Sequence, residues 1–311
     1  MGSFTDSVDP AKFAIQNQPD YIFLCGGRLD DFDHSLRAHF YRDKVKKNPA
    51  LLERVQLAEK ADEWYQSRKL FEDLLELEEH LAGLSACVLL FVESPGAIAE
   101  FGAFSQMELI QEKLVVVIEE SYFTKQSFIK NGLVDHVLRI RPKSVLSYRW
   151  LSSPSGSSVG AIDPAGASDT LDEVDREIKE ILRRKSKTAI FRKKDHGHLM
   201  LLIADLVALN VIILQREIQK ILSQLGIEIT PQSLKKYLFL LDQLHLITAR
   251  RFGKVDYYTD LAGGHEYVTY APRTPMDRPR LRALLRNDLP LTAEKNRALA
   301  AFRRPPTGVA P

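Results

Sequence analysis

The stretch CVLLFVESPGAIAEFGAFSQMELIQ, Cys87–Gln111, decides how this chain is read. It opens within an unbroken apolar run, Ala86–Val92. A run of that length suits a strand buried on both faces, as in a parallel sheet. After Glu93 come Ser94, Pro95 and Gly96. Serine is a favoured helix N-cap and proline fits the first helical position, so a helix is predicted over 95–111. On it Ala97, Ile98, Phe101, Phe104 and Leu109 share one arc, which should pack on the sheet. Glu100 falls at the border of that arc. It is predicted to be half-buried above the strand end.

Working outward, Tyr21–Cys25 is a second apolar run, and it ends in Gly26-Gly27. Leu114–Ile118 reads as another strand. Weaker strands are expected at Val137–Ile140 and Ser144–Tyr148. Helices are predicted over 33–47, 50–66 and 69–84, and no strand is discernible between 42 and 66. The acids of the third helix (Glu72, Asp73, Glu76, Glu78, Glu79) read as a solvated face, and His80 as a surface residue. Strands alternating with helices indicate an α/β fold with a Rossmann-like or flavodoxin-like parallel sheet. Gly26-Gly27 and Ser94-Pro95-Gly96 would then face one crevice at the carboxyl edge, where such sheets bind ligands.

A helix start offers free N–H groups and partial positive charge, which suits a phosphate or a polar substrate group. A half-buried glutamate beside it can serve as a nucleophile at an anomeric carbon. On spacing alone a structural role stays open: a glutamate paired with a basic residue, or capping a backbone N–H.

Composition sets outer bounds. The 311 residues suffice for two domains, and 45% are hydrophobic. A formal net charge of +2 excludes a bulk polycation, so contact with nucleic acid must come from a local patch. Cys25 and Cys87 both sit in apolar runs and read as buried thiols; no metal site is expected. No apolar run is long enough to span a bilayer, and no signal peptide is evident, so a reducing cytoplasmic location is expected, with no membrane partner.

The second half changes character. Residues 1–150 read as the α/β domain, 151–170 as a Ser/Gly/Pro-rich linker or surface loop, and 171–272 as a second, mainly α domain. In that domain an apolar helical stretch over 198–223 precedes a helix from Thr230-Pro231 to about Leu244. Two short strands then flank Arg250–Lys254. Three helices and a two-stranded wing make a winged helix-turn-helix. Lys235 and Lys236 would lie on the exposed start of the recognition helix, and Arg250, Arg251 and Lys254 on the wing, placed for phosphate contacts. A winged helix used for protein contacts is the alternative. Residues 1–20 read as a loose arm, and 273–311 as a basic tail formed by a short helix and an extended arm.

SPGAIAEFGAFS (94–105), after its hydrophobic strand, resembles the nucleophile motif of the nucleoside deoxyribosyltransferase family, and FLCGG (23–27) resembles that family's first strand and substrate loop. The resemblance covers roughly residues 20–145. It implies that Glu100 is the nucleophile and that Gly26, Gly27, Ser94, Pro95 and Gly96 line the sugar and phosphate pocket. It also implies a second acid that holds the substrate, for which Asp73 is the candidate, with Glu72 beside it. Joined to a winged helix, and with SFIKNG (127–132) in addition, the whole resembles the effector of type II-A retrons. That implies an anti-phage toxin which hydrolyses the nicotinamide–ribose bond of NAD, taken as substrate with no other cofactor. The implied partners are a retron reverse transcriptase and its branched RNA–DNA product (msDNA), with assembly into a homo-oligomer or filament. A nucleoside or nucleotide deoxyribosyltransferase or hydrolase, and a non-catalytic winged-helix DNA-binding regulator, are the alternatives.

Overall fold

The computed structural model describes residues 3–152, 161–260 and 266–302. The chain forms two compact units, Pro19–Ser186 and Met1–Gln18 with Lys187–Pro311.

The first unit is built on five strands: β1 (Ile22–Cys25), β2 (Val55–Leu57), β3 (Cys87–Val92), β4 (Leu114–Glu119) and β5 (Val145–Tyr148). Their order in the sheet is β2-β1-β3-β4-β5, and every pairing is parallel. This is the flavodoxin-like order, with its switch point between β1 and β3. Every residue of β1, β3 and β4 is buried, which accounts for apolar runs that only Glu119, at the end of β4, interrupts. The helices used below are α1 (Leu36–Phe40), α2 (Ala58–Arg68), α3 (Leu74–Leu84) and α4 (Pro95–Phe104).

Several expectations are corrected here. A strand does lie between 42 and 66. It is β2, three residues at the sheet edge with only Val55 buried, too short to leave an apolar run. Val137–Ile140 is not a strand: Asp135–Ile140 is helical, and Leu133, Val134 and Val137 bury themselves at helical spacing. The linker expectation for 151–170 fails at its C-terminal end, because helix α5 runs from Pro164 to Arg184. Asp163 caps it, its carboxylate accepting from the Gly166 N–H at 3.1 Å. A Cβ on Gly166 would meet the Arg149 carbonyl oxygen at 2.6 Å, so the small residues there mark a close approach, not slack. Along α5, Ala167, Leu171, Val174 and Ile178 pack into one core with Leu24, Leu89, Phe91 and Val117. The first unit therefore ends near residue 186, not 150. Residues 153–160 of the expected linker lie outside the described residues.

The second unit contains the winged helix. Helices α6 (His196–Leu209), α7 (Gln215–Gln224) and α8 (Pro231–Gln243) accompany an antiparallel sheet ordered β6-β8-β7, from β6 (Ile213–Leu214), β7 (Thr248–Phe252) and β8 (Val255–Thr259). The hairpin of β7 and β8 is the wing. The N-terminal arm is not loose. Ala14–Gln16 pairs antiparallel with both Thr188–Ile190 and Val268–Thr269, and Phe4, Phe13 and Ile15 are buried. The tail forms two helices, α9 (Arg278–Asp288) and α10 (Ala293–Phe302); the expected extended arm, from 303 on, lies outside the described residues. Lys295 of α10 pairs with Glu217 of α7 at 2.7 Å, with Lys295 almost fully buried. No helix among the described residues is long and apolar enough to cross a membrane.

Candidate active site

The site forms where the sheet order reverses. Gly26 follows β1 with φ +135°, and a Cβ there would lie 2.7 Å from the Phe91 carbonyl oxygen. A Cβ on Gly27 would lie 2.7 Å from Glu93 Oε1. Only glycine lets this turn nest on the end of β3. The Glu93 carboxylate then gathers four donors: Gly27 N–H at 3.2 Å, Ser35 Oγ–H at 2.6 Å, Leu36 N–H at 2.7 Å and Arg37 N–H at 3.2 Å. It thus fastens the glycine turn to the start of α1. Burial pushes Glu93 up to about 7 against the pull of those donors.

Arg37, buried on α1, completes the frame. Its guanidinium donates to the carbonyls of Leu24 and Gly27, each at 2.8 Å, and to both oxygens of Glu59 on α2, each at 2.7 Å. A planar five-donor fork suits this geometry, and lysine could not reproduce it. Arg37 therefore holds the carboxyl end of β1 in place.

Glu100 enters this frame from α4. Ser94 caps that helix, its Oγ accepting from the Ala97 N–H at 3.1 Å, with Pro95 in the first turn as expected. Ala97, Phe101 and Phe104 are buried as predicted; the helix ends at Phe104, so Leu109 belongs to a separate short helix, Glu108–Gln111. Glu100 is half-buried, and its Oε2 is fully enclosed with no hydrogen-bond partner among the described residues. Burial pushes its pKa up to about 7; the Arg37 charge lowers it and the Glu59 charge raises it. A Cβ on Gly96 would meet nothing closer than Ser94 Oγ at 3.9 Å, so the exposed start of α4 is open to an approaching group.

The second acid differs from the expected one. Asp73 is exposed and serves as the N-cap of α3, accepting from the Glu76 N–H at 2.8 Å, and Glu72 is exposed beside it. The acid that α3 brings to Glu100 is Glu78. It is buried, and burial, then the Glu100 charge, then Asp62, push it up to about 8. The same two glutamates, after burial, raise the Cys25 thiol. Along the helix Glu78 stands about 40° beyond Leu74, at the border of the arc formed by Leu74, Leu77 and Leu81, so spacing alone leaves its burial open. His80 is likewise buried, not on the surface, with Nδ1 2.6 Å from the Glu76 carbonyl oxygen. Beside this frame stand two carboxyls, Glu100 and Glu78, whose pKa values burial pushes toward neutrality.

The model of the STM3845 retron effector protein family matches residues 33–249, well over half of the chain. The chain belongs to this retron effector family. It is also similar to a protein of Escherichia coli named "Retron Ec86 putative ribosyltransferase/DNA-binding protein", with 33% identity over 134 residues, 40% of this chain and 39% of that protein. A second Escherichia coli protein, of the same description for retron Ec73, is 22% identical over 178 residues, 54% of this chain and 55% of that protein. The matched part thus spans about two fifths and about half of these relatives. The motifs of the effector read from 94–105 and 127–132 lie within the family match.

The cations expected to face nucleic acid divide. Lys235 and Lys254 are exposed. Lys236 is buried within α8. Arg250 donates to the Phe302 carbonyl at 2.8 Å and lies over that ring, so it secures α10. Arg251 stands 3.6 Å from Asp256 on the facing strand.

Proposed function

We propose that this retron effector is an anti-phage toxin whose Pro19–Ser186 unit is an N-glycosidase acting on NAD. The observation that carries the proposal is Glu100: an enclosed, unpartnered carboxylate oxygen on the switch-point helix, with its pKa raised to about 7. In the ionised form its oxygen attacks the anomeric carbon of the nicotinamide riboside as the C–N bond breaks. Nicotinamide leaves as a neutral base, because the pair of electrons from that bond neutralises the pyridinium. Water then attacks the same carbon, the ester to Glu100 breaks, and a proton passes to a carboxylate of the pair. Glu78, protonated at neutral pH, can donate to a leaving base that needs a proton, which nicotinamide does not. Gly26, Gly27 and the Ser94-Pro95-Gly96 helix start hold ribose and phosphates. Asp73 stands outside this scheme, and Glu78 takes the part of the second acid.

The ribosyltransferase wording in the relatives' names favours a second reading, base exchange on a nucleoside or nucleotide. Supplying NAD or deoxynucleosides and following the released base separates the two. The DNA-binding wording, with the winged helix, supports assembly with nucleic acid, here a reverse transcriptase and its RNA–DNA product. The reading predicts that Glu100→Gln, folded and assembled as the parent, leaves NAD intact in triggered cells. Undiminished NAD loss in that variant sinks the glycosidase assignment. Copurification of a reverse transcriptase with a small RNA–DNA hybrid checks the partners. A regulator without catalysis would show neither base release nor any effect of Glu100.

A further inference from the structure

The groove of the winged helix lies beside the expected recognition helix rather than on it. A cavity of 410 Å³ is lined by Gln215, Arg216 and Gln219 of α7, Pro231 at the start of α8, and Lys254 and Asp256 of the wing. A second cavity of 270 Å³ shares Arg216 and Gln219 and extends to Lys220 and Glu228. Together they line a continuous trough along one flank of α7.

The charges of that trough are distinctive. Arg216, Lys220 and Lys254 are exposed, and none makes an ion pair among the described residues. The acids that line it are occupied otherwise: Asp256 faces Arg251, and Glu228 accepts from the Ser223 hydroxyl at 3.3 Å. Arg216 and Lys220 stand four residues apart on α7, one above the other, with Cβ atoms about 5–6 Å apart. That separation suits successive phosphates of one strand. Gln215 and Gln219 use their amide N–H groups on the carbonyls of Pro231 and Ile229, at 2.8 and 3.3 Å, which ties α7 to the start of α8 and makes the trough floor rigid. On α8 itself, by contrast, Lys236 is buried and Lys235 stands alone at the exposed start.

We infer that this trough is a phosphodiester-binding site: Arg216 and Lys220 track the backbone of a nucleic-acid strand along α7, and Lys254 closes over it from the wing. The assignment rests on the proposed nucleic-acid partnership of this unit and deepens it. Unpaired cations around a cavity gain most from a polyanion, because each phosphate contact releases a condensed counterion. The contacts carry no base recognition, so the trough positions a strand without specifying its sequence.

The test is fluorescence anisotropy of the full chain with a labelled 24-nucleotide single strand and, separately, the matching duplex, across a salt series. The variant Arg216→Gln/Lys220→Gln/Lys254→Gln changes exposed residues only, and its circular dichroism melt checks folding. The expected result is at least about tenfold weaker binding, with the salt slope reduced by about 2 on the single strand or nearly 3 on the duplex, whichever the parent protein binds. Lys235→Gln should cost less than about threefold. An unchanged slope in the triple variant, or a larger loss from Lys235→Gln, overturns the trough assignment while leaving the nucleic-acid partnership standing. If the triple variant fails to fold, Arg216→Gln and Lys254→Gln singly must each lower the slope by about one; no change overturns it equally. Failure of the parent chain to bind either oligonucleotide overturns the trough, and the copurification then decides the nucleic-acid partnership separately. Base release assayed in parallel shows whether the glycosidase reading stands apart from both.

Discussion

The two units handle charge differently. In the second unit the buried Asp205 and Lys295 each meet an opposite charge, although burial still raises the Asp205 pKa and leaves its Oδ2 without a hydrogen-bond partner among the described residues. Asp205 accepts from the Tyr267 N–H at 2.7 Å, the Val268 N–H at 3.2 Å and Arg278 at 3.0 Å, and Lys295 meets Glu217 at 2.7 Å. Its unpaired cations stay in water. In the first unit Arg37 is matched by Glu59, but Glu100 and Glu78 share a buried space with too little positive charge between them. A partner offsets part of the desolvation cost of a buried charge; without one, burial raises a carboxyl pKa toward neutrality and costs stability. Under the proposed function, that pattern separates the unit that performs the chemistry from the unit that attaches.

The comparison breaks if the buried acids of the first unit prove inert. Glu100→Gln is expected to lower base release from NAD by roughly a thousandfold or more, about 4 kcal/mol in barrier, with the melting curve little changed. Next in size, Arg37→Ala should destabilise the first unit by about 3–5 kcal/mol, because Glu59 and the carbonyls of Leu24 and Gly27 lose their donor. Denaturant titration reads this directly, and Arg37→Lys should recover only part of it.

A smaller effect sharpens the comparison through pH. Glu78 titrates near 8 in the folded chain, above its ordinary value. A raised carboxyl pKa means that its contribution to stability is fully present below about 4.5 and is lost as pH rises toward 8. Glu78→Gln should therefore leave stability near pH 5 almost unchanged and raise it by about 1–3 kcal/mol at pH 8.5. Activity follows a different course: it should rise as Glu100 ionises through about 7, with a falling limb near 8 only for leaving bases that require a proton. The smallest effect belongs to the wing. Arg251→Ala removes an exposed pair at 3.6 Å and should change stability by less than about 0.5 kcal/mol.

Much of this could be read along the chain. The strands at 22–25, 87–92 and 114–118 are legible because burial on both faces leaves an unbroken apolar run, and the Ser94-Pro95 cap marks the start of α4 because capping is a local interaction. The winged helix was legible for the same reason, its helices and hairpin being bounded by turn and cap residues. Local rules did not reach the three-residue edge strand β2, or the first turns of α5 at 164–169, written in small residues, whose close approach to Arg149 and packing on a distant sheet decide their conformation.

For the site the division is sharper. Glu100 and the glycine turn were visible as a motif at a strand end. Nothing along the chain separates Glu78 from Asp73, because burial of one acid on an acidic helix depends on what packs above it. The fates of Lys236, buried, and Arg250, bound to Phe302, were equally invisible. Residue type and spacing determine which side chains stand near a strand end or on a wing. Which of them keep a charge, lose a partner or are consumed by packing is decided by desolvation and by neighbours remote in sequence, and only the tertiary structure sets those.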